Sequence, residues 1–446
     1  MERIFPPDDP FFLLRWDLTS TGTLELILGS TQLAPHWLPH RVWETRVTLA
    51  LRMRPMNSAQ TQAKSNEVDL EDQPRVHVGC GLCGSRRSRL VCSPEEIIAQ
   101  QRFLEHFYRS RWSRQTAATA TDRVSFTQDY ATSIVACMDC GLLYRNPRPR
   151  AEAVTQAYET EDYDEAYLQA EFTAQRTWAR GKADILARHL EKVGRRGRPR
   201  VLEIGSFVGG FLLEGQLRGW DMLGVDPGHD IASFCRRHRL PVFEGTLEDA
   251  QLPPASFDAV AIWNTFDQLP DPRKLLHQLL PLMRNGGLLV ARVPNGACFE
   301  WGMSMRARLP KVFRRPLDVA LACNNLLTFP YLYGYSAEQL EELTEPFGFR
   351  LLACYADQIV SSPPGHLRRW ALWEEQVVKT LCRAFAVLWP DNRSLRFRSA
   401  PWLDCFFERA CTDQERPAPQ KLGLGVIPVY SPLVFNDTGL DCSVNR

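Results

Sequence analysis

Arg200-Val201-Leu202-Glu203-Ile204-Gly205-Ser206-Phe207-Val208-Gly209-Gly210-Phe211-Leu212-Leu213 joins an apolar run, a glycine turn and the opening of a helix. Val201 to Ile204 has the continuous apolar character of a strand buried on both faces. Phe211-Leu212-Leu213-Glu214 then starts a helical pattern. Strand, glycine turn and helix together bring backbone N–H groups and a helix N-terminus to the carboxyl edge of a sheet, where anionic or polar groups bind.

Downstream the pattern alternates, which predicts a mostly parallel sheet. Strands are expected near residues 201–205, 221–226, 241–244, 257–263 and 287–293, with helices near 209–218, 229–238 and 272–283 between them. A helix running to Phe347, N-capped by Ser336, and strands near 349–355 and 402–408 complete the sheet, interrupted by a helix from His366 to Leu388. Asp226 ends the second strand, about 20 residues past the glycine turn, where a carboxylate reaches both hydroxyls of a ribose.

Upstream stand two matching pieces, Cys80-Gly81-Leu82-Cys83-Gly84 and Cys137-Met138-Asp139-Cys140-Gly141. Each is a Cys-x-x-Cys followed by glycine, which lets a tight turn aim backbone N–H groups at thiolate sulfur. One such pair is weak evidence; two of the same shape predict a closed, tetrahedral, structural Zn2+ site on Cys80, Cys83, Cys137 and Cys140. Redox or merely buried thiols are the competing reading. Between the knuckles a helix from Pro94 to about Trp112 is expected, and Cys92 reads as a buried residue rather than a ligand. A module this small has little core of its own, and metal binding, worth roughly 10–16 kcal/mol in zinc-finger peptides, would hold it.

The order of these motifs, with Gly245-Thr246-Leu247-Glu248, Ser256-Phe257-Asp258, Leu269-Pro270-Asp271-Pro272 and Asn285-Gly286-Gly287, resembles the class I S-adenosylmethionine-dependent methyltransferases. The knuckles, the strap Leu142–Pro149 and the tyrosine-rich acidic segment Tyr158–Tyr167 narrow it to members with an N-terminal zinc ribbon. The resemblance spans about residues 78–360. It implies an α/β, Rossmann-like seven-stranded methyltransferase sheet with an N-terminal zinc-ribbon module. A dinucleotide fold is the competitor, but its Gly-x-Gly-x-x-Gly would need glycine where Phe207 stands.

By position, the resemblance implies that Glu203, Gly205, Ser206, Phe207 and Gly209 line the methionine part of S-adenosyl-L-methionine, with Asn264 nearby. Asp226 would hold the ribose, Pro227 border it, and Thr246 and Leu247 flank the adenine. Phe207 departs from the usual glycine, so either the loop sits differently, the ring covers the cofactor, or it is a packing residue. Asp267 and Gln268 occupy the places where relatives often carry a Glu-His acid–base pair. Gln268 takes no proton as histidine does, and Asp267 serves as a base only if burial raises its pKa. Asn325, Tyr331, Tyr333 and Tyr335 are the candidate substrate residues, with a packed aromatic loop as the alternative.

The remaining segments are read as follows. Residues 1–74 are unassigned and partly linker, with a strand at Leu24–Leu28 and a strand or helix within Val42–Leu51. Met56 is a candidate natural start. The ribbon module occupies 75–150, a helical linker 151–199, the catalytic core 200–360, an insertion and final strand 361–410, and a tail 411–446. The basic tract Gly194–Arg200 reads as a solvated linker. Trp301–Leu321 reads as a basic helix meeting solvent, an anionic substrate or anionic lipid. Trp370, Trp373, Leu381 and Phe385 read as core or homodimer contact.

A net charge of +1 gives no global argument for nucleic-acid or membrane partners. Thirteen cysteines, an odd number of which four lie in the two pairs, argue against a disulfide scaffold and for a reducing cytoplasm. No apolar run reaches the roughly 20 residues of a membrane span. The expected activity is methyl transfer to a small or carrier-linked metabolite, sugar-like among the candidates. The alternatives are a non-catalytic S-adenosylmethionine-binding or interaction protein and an RNA-modifying enzyme.

Overall fold

The computed structural model describes residues 13–18, 24–30, 43–47, 74–113, 132–160, 163–195, 197–357, 367–388, 400–410 and 423–426. The chain divides into two units, Met1–Asn66 and Glu67–Arg446. In the first, β1 (Leu13–Leu18), β2 (Leu24–Ser30) and β3 (Trp43–Val47) form an antiparallel sheet in sequential order. The second expected element there is therefore a strand, not a helix. Met56 lies outside the described residues.

The second unit begins with β4 (Arg75–Val76), β5 (Ser88–Cys92) and α1 (Pro94–Arg111). The helix starts where expected, because Ser93 and Glu96 close a reciprocal capping box and Pro94 sits in the first turn. Next come β6 (Ile134–Cys137), β7 (Leu143–Arg145), β8 (Arg148–Pro149), α2 (Ala151–Thr160) and α3 (Glu165–Lys192). The tyrosine-rich segment is thus helical at both ends, and Asp164 caps the second helix through the N–H groups of Ala166 and Tyr167.

The alternating part follows as β9 (Arg200–Ile204), α4 (Gly210–Leu217), β10 (Asp221–Asp226), α5 (His229–Arg237), β11 (Val242–Glu244) and β12 (Phe257–Trp263). It continues with α6 (Pro272–Leu282), β13 (Met283–Pro294), α7 (Gly296–Arg308) and α8 (Lys311–Cys323). The expected basic helix is therefore two helices, parted at Pro310, which has no N–H to continue the first. Arg306 pairs with Asp318 across them at 2.7 Å.

β14 (Tyr333–Gly334), α9 (Ala337–Thr344), β15 (Phe349–Asp357), α10 (Arg369–Leu388), β16 (Trp402–Arg409) and β17 (Gly423–Val426) complete the chain. Ser336 caps α9 as expected, in a capping box with Gln339. On α10, Trp370, Trp373 and Leu381 are exposed rather than core.

The main sheet has the order β11-β10-β9-β12-β13-β16-β15-β17, with β16 antiparallel to both neighbours. Seven of these strands make the expected sheet; β17 adds an eighth, parallel to β15. Alternate residues of each strand feed two cores. Leu202, Val260 and Leu289 pack on one face, and Val201, Ala259 and Val290 on the other. The knuckle region is stitched into this body: β14, from the far end of the core, pairs with β7 in the sheet β14-β7-β6-β5. Among the described residues, no helix is long and apolar enough to cross a membrane.

Candidate functional site

A cleft of about 570 Å³ opens at the carboxyl ends of β9, β10 and β12. Among the expected cofactor residues, Gly205, Phe207, Asp226, Pro227, Thr246, Leu247 and Asn264 line it; so do Gln268 and Tyr331. Glu203, Ser206 and Gly209 do not line it, nor do Asp267, Asn325, Tyr333 and Tyr335.

The glycine turn explains part of this division. Gly205 has φ +69, its N–H donates to the Val225 carbonyl at 2.8 Å, and an added Cβ would stand 2.3 Å from Thr265 Oγ1. Only glycine lets the two strand ends approach this closely. Gly209 opens α4 at φ +73, and a Cβ there would meet Leu240 and Cys235, so its constraint is packing behind the loop. Phe207 adopts φ +46, the left-handed conformation that glycine takes more readily, and its N–H donates to Asp226 Oδ2 at 2.8 Å. Its ring meets Tyr163 edge-on at 5.8 Å, and Tyr163 stacks on Tyr167. All three aromatics line the cleft, so the Phe207 ring packs on Tyr163 and also presents surface to the cleft.

The loop's carboxylates are electrostatically distinct. Burial raises Asp226 to about 6, although the N–H groups of Phe207 and Gly228 pull it back. Glu203 is driven well above the carboxylate range, first by burial and then by the charge of Asp226. Glu203 Oε2 and Ser206 Oγ are buried without hydrogen-bond partners among the described residues. Of these groups Asp226 and the close-approach glycine Gly205 face the cleft, and a carboxylate beside a glycine turn fits the hydroxyls of a polar nucleoside ligand. Glu203 and Ser206 lie behind the loop, where an added Cβ on Gly224 would meet Ser206.

At the end of β12, Asn264 is held at φ +56. Arg292 donates to its Oδ1, and its carbonyl accepts from Gln268 Nε2 at 2.5 Å. Tyr158 donates to Gln268 Oε1 at 2.6 Å, so both polar ends of Gln268 are committed. Arg292 belongs to a buried group of two cations and two anions: it pairs with Asp357 at 3.0 Å and lies 3.4 Å from Asp404, and Lys182 contacts both carboxylates. Asp267 is fully buried, both of its oxygens lack partners among the described residues, and burial lifts its pKa well above the usual range. Asp267 does not line the cleft, whereas its neighbour Gln268 does.

The outer wall consists of Tyr158 from α2, Tyr163 and Tyr167 around the start of α3, and Tyr331. Asn325 stands behind Tyr331 and donates to its hydroxyl at 3.3 Å. Tyr333 and Tyr335 are buried, the first against the knuckles and the second against Phe266 at 5.6 Å, so packing takes up both rings. The Tyr158–Tyr167 segment carries no motif with a known ligand, yet it supplies three of the four tyrosines of this wall. Its signal is three tyrosines in ten residues at the head of the long helix that precedes the first strand of the sheet.

The four knuckle cysteines converge, with all Sγ atoms within 4.8 Å of one another. Cys80 and Cys140 are 3.4 Å apart, and Cys83 and Cys137 3.5 Å. Bonds of about 2.3 Å to a tetrahedral zinc place sulfurs about 3.8 Å apart, which this spacing approaches. The two turns match: Gly84 N–H donates to Cys80 O at 2.9 Å, Gly141 N–H to Cys137 O at 3.0 Å, and both glycines have φ near +76 (φ +75 and +77). Burial raises Cys137, but the N–H groups of Cys140 and Asp139 outweigh it and bring the thiol down to about 7. Cys92 is outside the cluster, and burial pushes it up to about 12.

Residues 172–353 match a family profile described as a methyltransferase domain. No curated protein matches the chain. Among solved structures, an S-adenosylmethionine-dependent methyltransferase from Archaeoglobus fulgidus is 17% identical, covers 55% of this chain and 100% of its own, and has a TM-score of 0.35. The plantazolicin methyltransferase BpumL with S-adenosylhomocysteine is 15% identical, with 58% and 95% coverage and a TM-score of 0.35. The [4+2]-cyclase SpnF is 16% identical, with 51% and 80% coverage and a TM-score of 0.30.

Proposed function

We infer that this chain, an S-adenosylmethionine-dependent methyltransferase by the domain it carries, methylates a small or carrier-linked metabolite admitted beside Tyr158 and Tyr331. The observation that carries this reading is the cleft itself: it has the volume of a small-molecule site. One wall offers Asp226 and the glycine turn; the other offers four tyrosines. In this reading Asp226 accepts from the ribose hydroxyls, Gly205 lets the chain approach closely, and Thr246 and Leu247 border the base. Bound there, the cofactor supplies a methyl group already activated on a sulfonium.

The chain's own contribution is then placement. Holding the reacting atoms in line is worth roughly 7–11 kcal/mol, and Tyr158, Gln268 and Asn264 form a fixed hydrogen-bonded edge where an acceptor would lie. Phe207, Tyr163 and Tyr167 keep water from one end. Cys80, Cys83, Cys137 and Cys140 would hold a structural Zn2+ with no position left open, consistent with a reducing, cytoplasmic setting. Nothing in the cleft singles out a sugar.

A second reading, non-catalytic binding of S-adenosylmethionine, is favoured by one observation: neither Asp267 nor Gln268 offers a free base at the cleft. Incubating the purified chain with methyl-labelled S-adenosylmethionine and a metabolite extract separates the two. Label appearing in a small molecule, and lost on Asp226→Ala, supports the enzyme. Tight binding of the cofactor without any label transfer supports the second reading. The basic linker gives no support to an RNA substrate, since Arg195 and Arg200 face Asp258 and Asp221 at 3.5 and 3.4 Å.

A further inference from the structure

We propose that Tyr333 is a positioning residue that ties the four-cysteine metal module to one wall of the nucleoside cleft, so that metal binding tightens the cleft's hold on its ligand. The proposal rests on the metal and cofactor assignments above. It adds that the module acts on the cleft instead of merely folding beside it.

Tyr333 touches both sides of that junction. Its ring lies on the first knuckle so closely that a Cβ on Gly81 would come within 2.6 Å of it. Its backbone pairs with Tyr144 of β7, just past the second knuckle. Its hydroxyl donates to the Pro270 carbonyl at 3.0 Å and accepts from Arg148 Nη2 at 2.8 Å. Arg148 reaches the same carbonyl at 3.1 Å and sets its guanidinium over the Tyr333 ring.

Pro270 is a cleft residue, and Asp271, Lys274 and Leu275 continue the same wall. From this wall Lys274 reaches across to Glu248 at 2.6 Å, beside Thr246 and Leu247. A second tie runs in parallel: Arg273, on the same helix turn, donates to the carbonyl of Leu82, which lies between Cys80 and Cys83. Away from the cleft, Gln339 of α9 donates to the Cys140 carbonyl at 3.0 Å and holds the second knuckle to the main body. Knuckles fixed by a metal therefore fix the start of α6. Knuckles released from it leave that wall held from one side only, and a wall with more freedom to lose binds its ligand less tightly.

The test uses the full chain, loaded with zinc and checked by elemental analysis, with S-adenosylhomocysteine as the calorimetric probe. Chelation under reducing conditions is expected to weaken binding about tenfold while far-ultraviolet circular dichroism keeps the signal of the main sheet and its helices. Tyr333→Phe, which removes only the hydroxyl, is expected to keep its zinc, bind the probe about three- to tenfold more weakly, and respond less to chelation than the parent. Arg273→Met, cutting the second tie, shifts affinity in the same direction, and Arg86→Ala, on the module's exposed side, leaves it unchanged. Unchanged affinity in zinc-loaded Tyr333→Phe, or in the metal-free parent, overturns the proposal. A parent that holds no zinc fails on the metal assignment, and a zinc-loaded parent that binds no probe fails on the cofactor assignment; either result also ends the proposal.

Discussion

Tyr158 donates its phenolic proton to Gln268 Oε1 at 2.6 Å, while the amide end of Gln268 holds the Asn264 carbonyl. The residue standing where relatives often carry an acid–base histidine is thus a fixed brace between α2 and the end of β12. Its chemistry at the cleft is to hold geometry, not to move protons.

The amide's polarity matters to that brace. Gln268→Glu turns a donor into an acceptor facing the Asn264 carbonyl, and a repulsive, unsatisfied contact costs about 1–3 kcal/mol. Urea unfolding at neutral pH is expected to show that loss. The gap between variant and parent should shrink near pH 5, where protonation restores a donor. A pH-independent gap would mean that the contact is not the source.

Asp226 is expected to make cofactor affinity pH-dependent. Its folded-state pKa is raised to about 6, so the protonated form is favoured in the folded chain, and unliganded stability falls as pH rises through the span from the usual carboxylate range to 6. Ribose hydroxyls prefer the carboxylate, so the affinity for S-adenosylhomocysteine should rise from about pH 5 to 7 and level off above. Asp226→Asn should bind more weakly and lose that slope. Calorimetry across this range reads both.

Gly205 and Thr265 are coupled by contact. Gly205→Ala forces a methyl into Thr265, an overpacking cost of about 1–3 kcal/mol, on top of the penalty for φ +69. Adding Thr265→Ala should recover the steric part and leave the backbone part. A double-mutant cycle by thermal melting should therefore show non-additivity.

The cysteines divide cleanly. Cys83→Ser should lose zinc and lower the melting temperature, whereas Cys92→Ser should keep the metal, because Cys92 lies outside the cluster among Ile97, Leu104 and Phe107. Zinc content after gel filtration distinguishes the two.

Most of the sheet was legible because its signals are local. Apolar runs such as 257–263 and caps such as Ser336 each act within a few residues. The knuckles were legible for the same reason. Asn285-Gly286-Gly287, expected as a turn into the fifth strand, instead lies within β13 as an irregularity with Gly286 at φ +69. The cleft's outer wall was less so. Tyr158 reaches Gln268 across 110 positions, and Arg292 meets Asp357 and Asp404 from separate strands, so no spacing rule announces either. The run Tyr331-Leu332-Tyr333-Gly334-Tyr335 left a binding surface and a packed loop open, and the structure divides it. Tyr331 lines the cleft, while Tyr333, carried into the ribbon sheet by a two-residue strand, and Tyr335 are buried.

The central claim is that the cleft at the glycine turn binds S-adenosylmethionine through Asp226. Titrating S-adenosylhomocysteine into the purified chain by calorimetry, beside Asp226→Ala, tests it most directly. The account predicts saturable binding by the parent and a loss of about tenfold or more in the variant. No heat from the parent, or equal affinity in the variant, would contradict it.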